Sequence, residues 1–247
     1  MLTKRQRRLL EIIIKEFAKS AEAVGSIDLP RKYELQVSPA TVRNEMSRLS
    51  DMGYLEKQHA SSGRVPTTLA FRYFLEELLD EIDRLDELDV RRKALLNEDL
   101  FQKRFNIDHM MLSAVKSLAE LTNNASVALV EDKIYHSGLN YLLDNPEFQD
   151  LEVFKQILSI VEDYSEMSSI LSRYKGDGKI RVLIGDEIGQ EYFRYCAIVF
   201  VEIPLSRKSK AYLMVIGPNR MKYKKVLPSV KFVSEKIRSL ISDWNKI

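Results

Sequence analysis

A chain of 247 residues with 45% hydrophobic content holds enough apolar material for two folded domains, which excludes a disordered tail. A formal net charge of +2 excludes an extreme basic or acidic protein, and no run of eighteen apolar residues is present to cross a membrane. The basic start continues into charged helix rather than an apolar signal core, and the lone Cys196 has no internal partner, so a cytoplasmic location with no membrane partner is predicted. Cys196 leads into the apolar stretch Ala197 to Val201, which favours a buried inert thiol over a redox sensor.

In chain order, Thr3 is an N-cap candidate for a helix to about Ala21, with Leu9, Leu10, Ile13, Ile14 and Phe17 at helical spacing. Lys4, Arg5, Arg7 and Arg8 crowd its first turns, the unfavourable end for cations, so either a phosphate backbone or plain solvent faces them. A bend at Val24 and Gly25 precedes a short second helix over 28–35, with Pro30 in its first turn. Ser38 and Pro39 then suit the N-cap and first turn of a third helix running to Met52, stopped by Gly53. Val42, Met46, Leu49 and Met52 share a core face, whereas Ala40, Thr41, Arg43, Asn44, Ser47 and Arg48 form a polar one. Tyr54 to Lys57 reads as a strand, His59 to Gly63 as a turn, and Arg64 to Pro66 as the return strand. Helix, helix, turn, helix and wing make residues 1–75 a winged helix-turn-helix domain.

Thr67 or Thr68 caps a further helix bearing Phe71, Phe74, Leu75, Leu78 and Leu79, and the acid-dense stretch 76–108 reads as a helical connector. Tyr73, Phe74 and Leu78 there are either dimer contacts or intramolecular core. From 109 to 247 the pattern predicts an α+β domain with a mixed or antiparallel sheet. It comprises a helix from Asp108 to about Asn123, strands at 126–131 and 133–139, and a loop over 140–149. Helices at 151–164 and 166–174, strands at 179–184, 196–203 and 211–216, and a closing helix from Leu227 to Trp244 complete it.

Charge is uneven: residues 1–72 hold 13 Lys plus Arg against 8 Asp plus Glu, so the basic part is the N-terminal part. Side-chain geometry on the third helix then suggests roles. Arg43 suits a bidentate contact to guanine and Asn44 one to adenine, with Thr41 and Ser47 also facing bases. Ser38, Arg48 and Lys57 suit phosphates, and Arg64, read at the wing tip, suits the minor groove or backbone. No enzyme, cofactor or metal is expected. His59, His109 and His136 lie far apart, and no nucleophile elbow, phosphate loop or dinucleotide fingerprint occurs. The rival to a DNA reader is a ligand-sensing or protein-interaction scaffold whose work lies in the C-terminal domain.

The run SPATVRNEM from Ser38, then GYLE from Gly53, then His59, Ser61, Gly63, Arg64, Val65, Pro66 and Thr67 closely resembles the heat-inducible transcription repressors of the HrcA type. Asn140 to Asp150 (NYLLDNPEFQD), Arg181 to Gly185 (RVLIG) and Gly217 to Met221 (GPNRM) extend the resemblance to the second half. It implies a winged-helix repressor that binds an inverted-repeat operator in double-stranded DNA as a homodimer, upstream of chaperone operons. It places His59 and Ser61 in the wing and makes the C-terminal domain GAF-like. It also implies the chaperonin as a folding partner, so that heat stress relieves repression. Between Ala125 and Asn140 the family pattern has an inserted dimerising subdomain, for which fifteen residues leave no room, so the chain resembles a shortened member.

Overall fold

The structure is a computed structural model, and it describes residues 2–57, 63–85, 88–174, 177–206 and 209–244. The chain divides into two compact units, Met1–Leu78 and Leu79–Ile247. The segment predicted as a separate connector therefore falls almost wholly in the second unit.

In the first unit α1 spans Lys4–Ser20. Thr3 Oγ1 accepts from the Gln6 backbone N–H at 3.2 Å while the Gln6 side chain accepts from Thr3 N–H at 3.0 Å, so the two ends close a capping box. Ala21, at φ 59°, ends the helix. A short α2 covers Leu29–Lys32 and α3 covers Pro39–Asp51. Glu16 ties the first two together, accepting from Lys19, Lys32 and the Tyr33 hydroxyl. Strands β1 (Leu55–Glu56) and β2 (Val65–Pro66) pair antiparallel. Arg64 and Val24 add an antiparallel bridge, exchanging N–H···O bonds of 2.8 and 2.9 Å. Gly63 is needed for that approach, because a Cβ there would stand 2.4 Å from the Val24 carbonyl oxygen. In α4 (Thr68–Asp80) Phe71, Leu75 and Leu78 are buried, and the Phe71 ring meets Phe17 of α1 at 6.3 Å. Tyr73 packs edge-on to Tyr54 at 5.8 Å. Of the three residues weighed above as dimer contacts or core, Tyr73 thus packs on a neighbour within this unit, Leu78 is buried and Phe74 is half-buried.

The second unit begins with a 3-10 turn at Ile82–Arg84, then α5 (Val90–Gln102) and α6 (Ile107–Thr122), capped by Asp89 and Asn106. Strands β3 (Ala125–Val130) and β4 (Lys133–Ser137) form a hairpin turning at Glu131, which adopts φ 55°. The segment 140–149, predicted as loop, instead makes α7 (Asn140–Leu143) and a 3-10 turn at Pro146–Phe148, because Leu142 and Phe148 are drawn into the core. There follow α8 (Leu151–Val161), α9 (Tyr164–Ser172), β5 (Arg181–Ile184), β6 (Cys196–Pro204), β7 (Lys210–Pro218) and α10 (Tyr223–Trp244). The last helix starts at Tyr223, four residues before Leu227 where the sequence reading began it, and runs through Pro228 to Trp244 as expected.

The sheet has the order β4-β3-β7-β6-β5 and every pairing is antiparallel. Val127, Leu129, Ile198, Phe200, Met214 and Ile216 point from one face into a core completed by Phe148, Ile157, Met167 and Leu171. The alternate residues, among them Ala128, Val199, Leu213 and Val215, are equally buried under α6 and α10. Helices on both faces explain why the inner strands read as continuous apolar runs rather than alternating ones. No described helix is long and apolar enough to cross a membrane.

Candidate nucleic-acid interface

Of the predicted site residues, Ser38 caps α3, Thr41, Arg43, Asn44, Ser47 and Arg48 lie on it, and Lys57 and Arg64 flank the paired strands β1 and β2. Ser38 Oγ accepts from the Thr41 backbone N–H at 3.2 Å and lies 3.0 Å from the Thr41 hydroxyl, so these two side chains serve the cap, and Pro39 fills the first turn. One arc of the helix, Val42, Glu45, Met46 and Leu49, is buried, and α1, α2 and β1 are the elements packed around α3. The opposite arc carries Ala40, Arg43, Asn44, Ser47 and Arg48, all exposed. A helix that buries one face and shows solvent four adjacent polar side chains can enter a groove without unpacking its own core. Among the described residues Arg43 meets no carboxylate, and Lys57, just past β1, is also exposed.

Two expectations change. Met52 was placed on the core face, but it is 39% exposed, because it is the C-cap residue and the helical phase ends before it. Arg64 was placed at the wing tip, but its backbone is clamped to Val24 and its Nε donates to Ser50 Oγ of α3 at 2.9 Å. It sits at the base of the hairpin, braced against α3. His59 and Ser61 lie outside the described residues.

The residue that sequence reasoning missed is Glu45, 4% exposed on the buried arc of α3. Arg5 donates to its Oε1 at 2.6 Å, Gln6 to its Oε2 at 3.0 Å, and Arg48 reaches Oε1 at 3.4 Å. Burial pushes the carboxyl pKa up, but the hydrogen bonds from Arg5 and Gln6 outweigh that, and the group is held below the ordinary carboxylate range. An ionised carboxylate thus stands behind the exposed arc and fixes α1 to α3. Its helical spacing, three after Val42 and four before Leu49, was the available signal. The basic turns of α1 are largely engaged in the same way: Arg7 pairs with Glu77 and Arg8 with Glu11, each at 3.7 Å. No three His, Cys, Asp or Glu side chains gather as a metal site among the described residues.

A family model described as the HrcA protein C terminal domain matches residues 70–227. The chain belongs to the HrcA family. Curated relatives named heat-inducible transcription repressor HrcA include that of Pelotomaculum thermopropionicum, 25% identical with 97% of both chains covered, and that of Symbiobacterium thermophilum, 26% identical with 100% of both covered. These alignments run over 337 and 347 positions, more than the 247 residues here, so the relatives carry residues that this HrcA-family chain lacks. Its fold is that of a crystal structure described as a hypothetical protein, with a TM-score of 0.80, 16% identity, and coverage of 98% of this chain and 99% of that one.

Proposed function

We propose that this HrcA-family chain is a sequence-specific DNA-binding repressor of heat-shock chaperone operons, acting as a dimer on an inverted repeat and occluding the promoter. The observation that carries the reading is the exposed polar arc of α3, backed by a buried face that keeps the helix docked. In this reading α2 and α3 are the helix-turn-helix and the β1–β2 hairpin is the wing. Arg43 reads guanine and Asn44 adenine, and Thr41 and Ser47 line the same groove. Arg48 and Lys57 hold phosphates, and Ser38 contributes the start of the helix. Arg64 supports the wing from its base, and the wing residues His59 and Ser61 complete the contact. The second unit is GAF-like in this reading and serves regulation and dimerisation, with the chaperonin as folding partner. Phe148, Phe193, Met167 and Leu171 fill the sheet face between the helices, which weighs against a small-molecule sensor there.

The test is binding of the purified chain to a duplex bearing the inverted repeat and to a scrambled duplex across a salt series. The expected result is a preference for the repeat that persists as salt rises, because base contacts do not release counterions. Equal binding to both duplexes, falling in parallel with salt, would reject sequence-specific reading.

A further inference from the structure

The first turn of α1 holds cations that its own helix disfavours. Arg5 lies there, at the positive end of the helix dipole, and no acidic residue stands in that turn to offset it. The offset comes from α3 instead. Glu45 Oε1 accepts from Arg5 Nη2 at 2.6 Å and from Arg48 Nη1 at 3.4 Å, while Oε2 accepts from the Gln6 amide at 3.0 Å. Gln6 is in turn held by its capping box with Thr3, which fixes the start of α1 against α3.

The charges in this cluster do not cancel. One carboxylate serves two guanidinium groups, leaving a net charge of +1, and the excess lies outward: the Glu45 side chain is buried, whereas those of Arg5 and Arg48 are 56% and 65% exposed. An internal strut needs one cation, and a second, exposed one adds little to stability. Each guanidinium has five N–H donors, more than Glu45 engages. Their position is set as well. Thr41, Glu45 and Arg48 follow one another along α3 at four- and three-residue steps, and Arg5 lines the same small cleft as Thr41 and Glu45. Because the two arginines share one carboxylate oxygen, the nitrogens that meet it lie within about 6 Å of each other. A phosphate accepting N–H bonds of about 2.8 Å on two sides spans such a gap. We infer that Arg5 and Arg48 form a clamp for one backbone phosphate of DNA, with Glu45 as the positioning residue that holds both. This rests on the proposed reading of α3 as the groove-entering helix and extends the interface to α1.

The experiment is binding of the purified full chain to the inverted-repeat and scrambled duplexes across a salt series, for the wild type, Arg5→Gln, Arg5→Lys, Arg48→Gln and Arg7→Gln. Glutamine keeps an N–H donor for Glu45 while removing the charge, so Arg5→Gln should stay folded, and binding is measured below its melting transition. With either clamp arginine neutralised the excess charge is zero. The slope of log affinity against log salt should then flatten by about 0.9 on both duplexes, about a three- to fourfold smaller loss of affinity over a fourfold rise in salt. The preference for the repeat should not change, because a phosphate carries no sequence. Arg5→Lys should keep the wild-type slope. Arg7→Gln removes the same charge from the same helix, but Arg7 pairs with Glu77 at 3.7 Å, so its slope should also match the wild type. An unchanged slope in Arg5→Gln or Arg48→Gln, or an equal flattening in Arg7→Gln, would overturn the clamp. In a Glu45→Gln background, Arg5→Gln should cost less affinity, since the guanidinium has already lost its brace; an undiminished loss would overturn the role of Glu45. The two readings fail separately: a wild type blind to the repeat refutes sequence-specific reading while the scrambled duplex still tests the clamp, and a wild type that prefers the repeat with an unchanged slope in Arg5→Gln refutes the clamp alone.

Discussion

Two arginines from the stretches that carry the family resemblance have opposite fates. Arg220, in the turn after β7, is 9% exposed and held on two sides. Its Nε and Nη2 meet the Glu147 oxygens at 2.6 and 2.9 Å, and Nη2 also donates to Asn145 Oδ1 at 3.1 Å. Arg43 is exposed on α3 and meets no carboxylate among the described residues. The bidentate geometry available to a guanidinium is used inside the protein in one case and left facing solvent in the other. An arginine in such a stretch can therefore be a structural pin or a solvent-facing side chain, and burial tells them apart.

Substitutions at the two positions should separate cleanly. Arg220→Ala strands Glu147 in a site where it is only 13% exposed, and breaking a buried pair of this kind costs about 3–5 kcal/mol, so the second unit should melt far lower in a calorimeter. An unchanged melting point would remove the distinction. Arg43→Ala should leave the melting point alone but lower affinity for the inverted repeat by about 1–3 kcal/mol, with binding to scrambled DNA nearly intact, as a titration against both duplexes would show. Equal losses on both duplexes would make Arg43 a phosphate contact instead.

Smaller effects sharpen the comparison within the first unit. Glu45→Gln keeps the shape but removes the charge that Arg5 and Gln6 hold, and should cost about 1 kcal/mol in denaturant unfolding. A variant as stable as the wild type would mean that shape alone docks α3. The pH dependence has a definite sign. Burial raises the Glu16 pKa, but hydrogen bonds from Lys19, Lys32 and Tyr33 overcome this and lower it from 4.5 to about 2. A depressed carboxylate contributes stability above its unfolded pKa and loses it as pH falls, so the first unit should weaken progressively between pH 4.5 and about 2. In Glu16→Gln that part of the acid transition should vanish from a pH series of thermal melts; an identical acid limb in both proteins would show that Glu16 is not its source.

What could be read from sequence follows from the range of each interaction. The phase of α1, α3 and α6 was legible because apolar residues three and four apart face one way. The phase argument left Glu45 on neither face, although its spacing places it among the buried residues, and failed where the helix stopped, at Met52. The exposed arc at Arg43, Asn44, Ser47 and Arg48 needed only local periodicity and lies where the sequence reading put it. Arg64 did not, because its position depends on a backbone bridge to Val24 forty residues earlier in the chain. The strand order was also hidden: β3 pairs with β7, Ser126 with Val215, and nothing local to either segment encodes that partner.

Cys196 lies at the start of β6, fully buried within the sheet, and burial drives its thiol pKa upward. A thiol in that state is inert to alkylating reagents until the strands around it part. The chain thus carries one built-in clock for the opening of its second unit: the rate at which a maleimide labels the native protein, followed as temperature rises, times the opening of that sheet without any engineered probe.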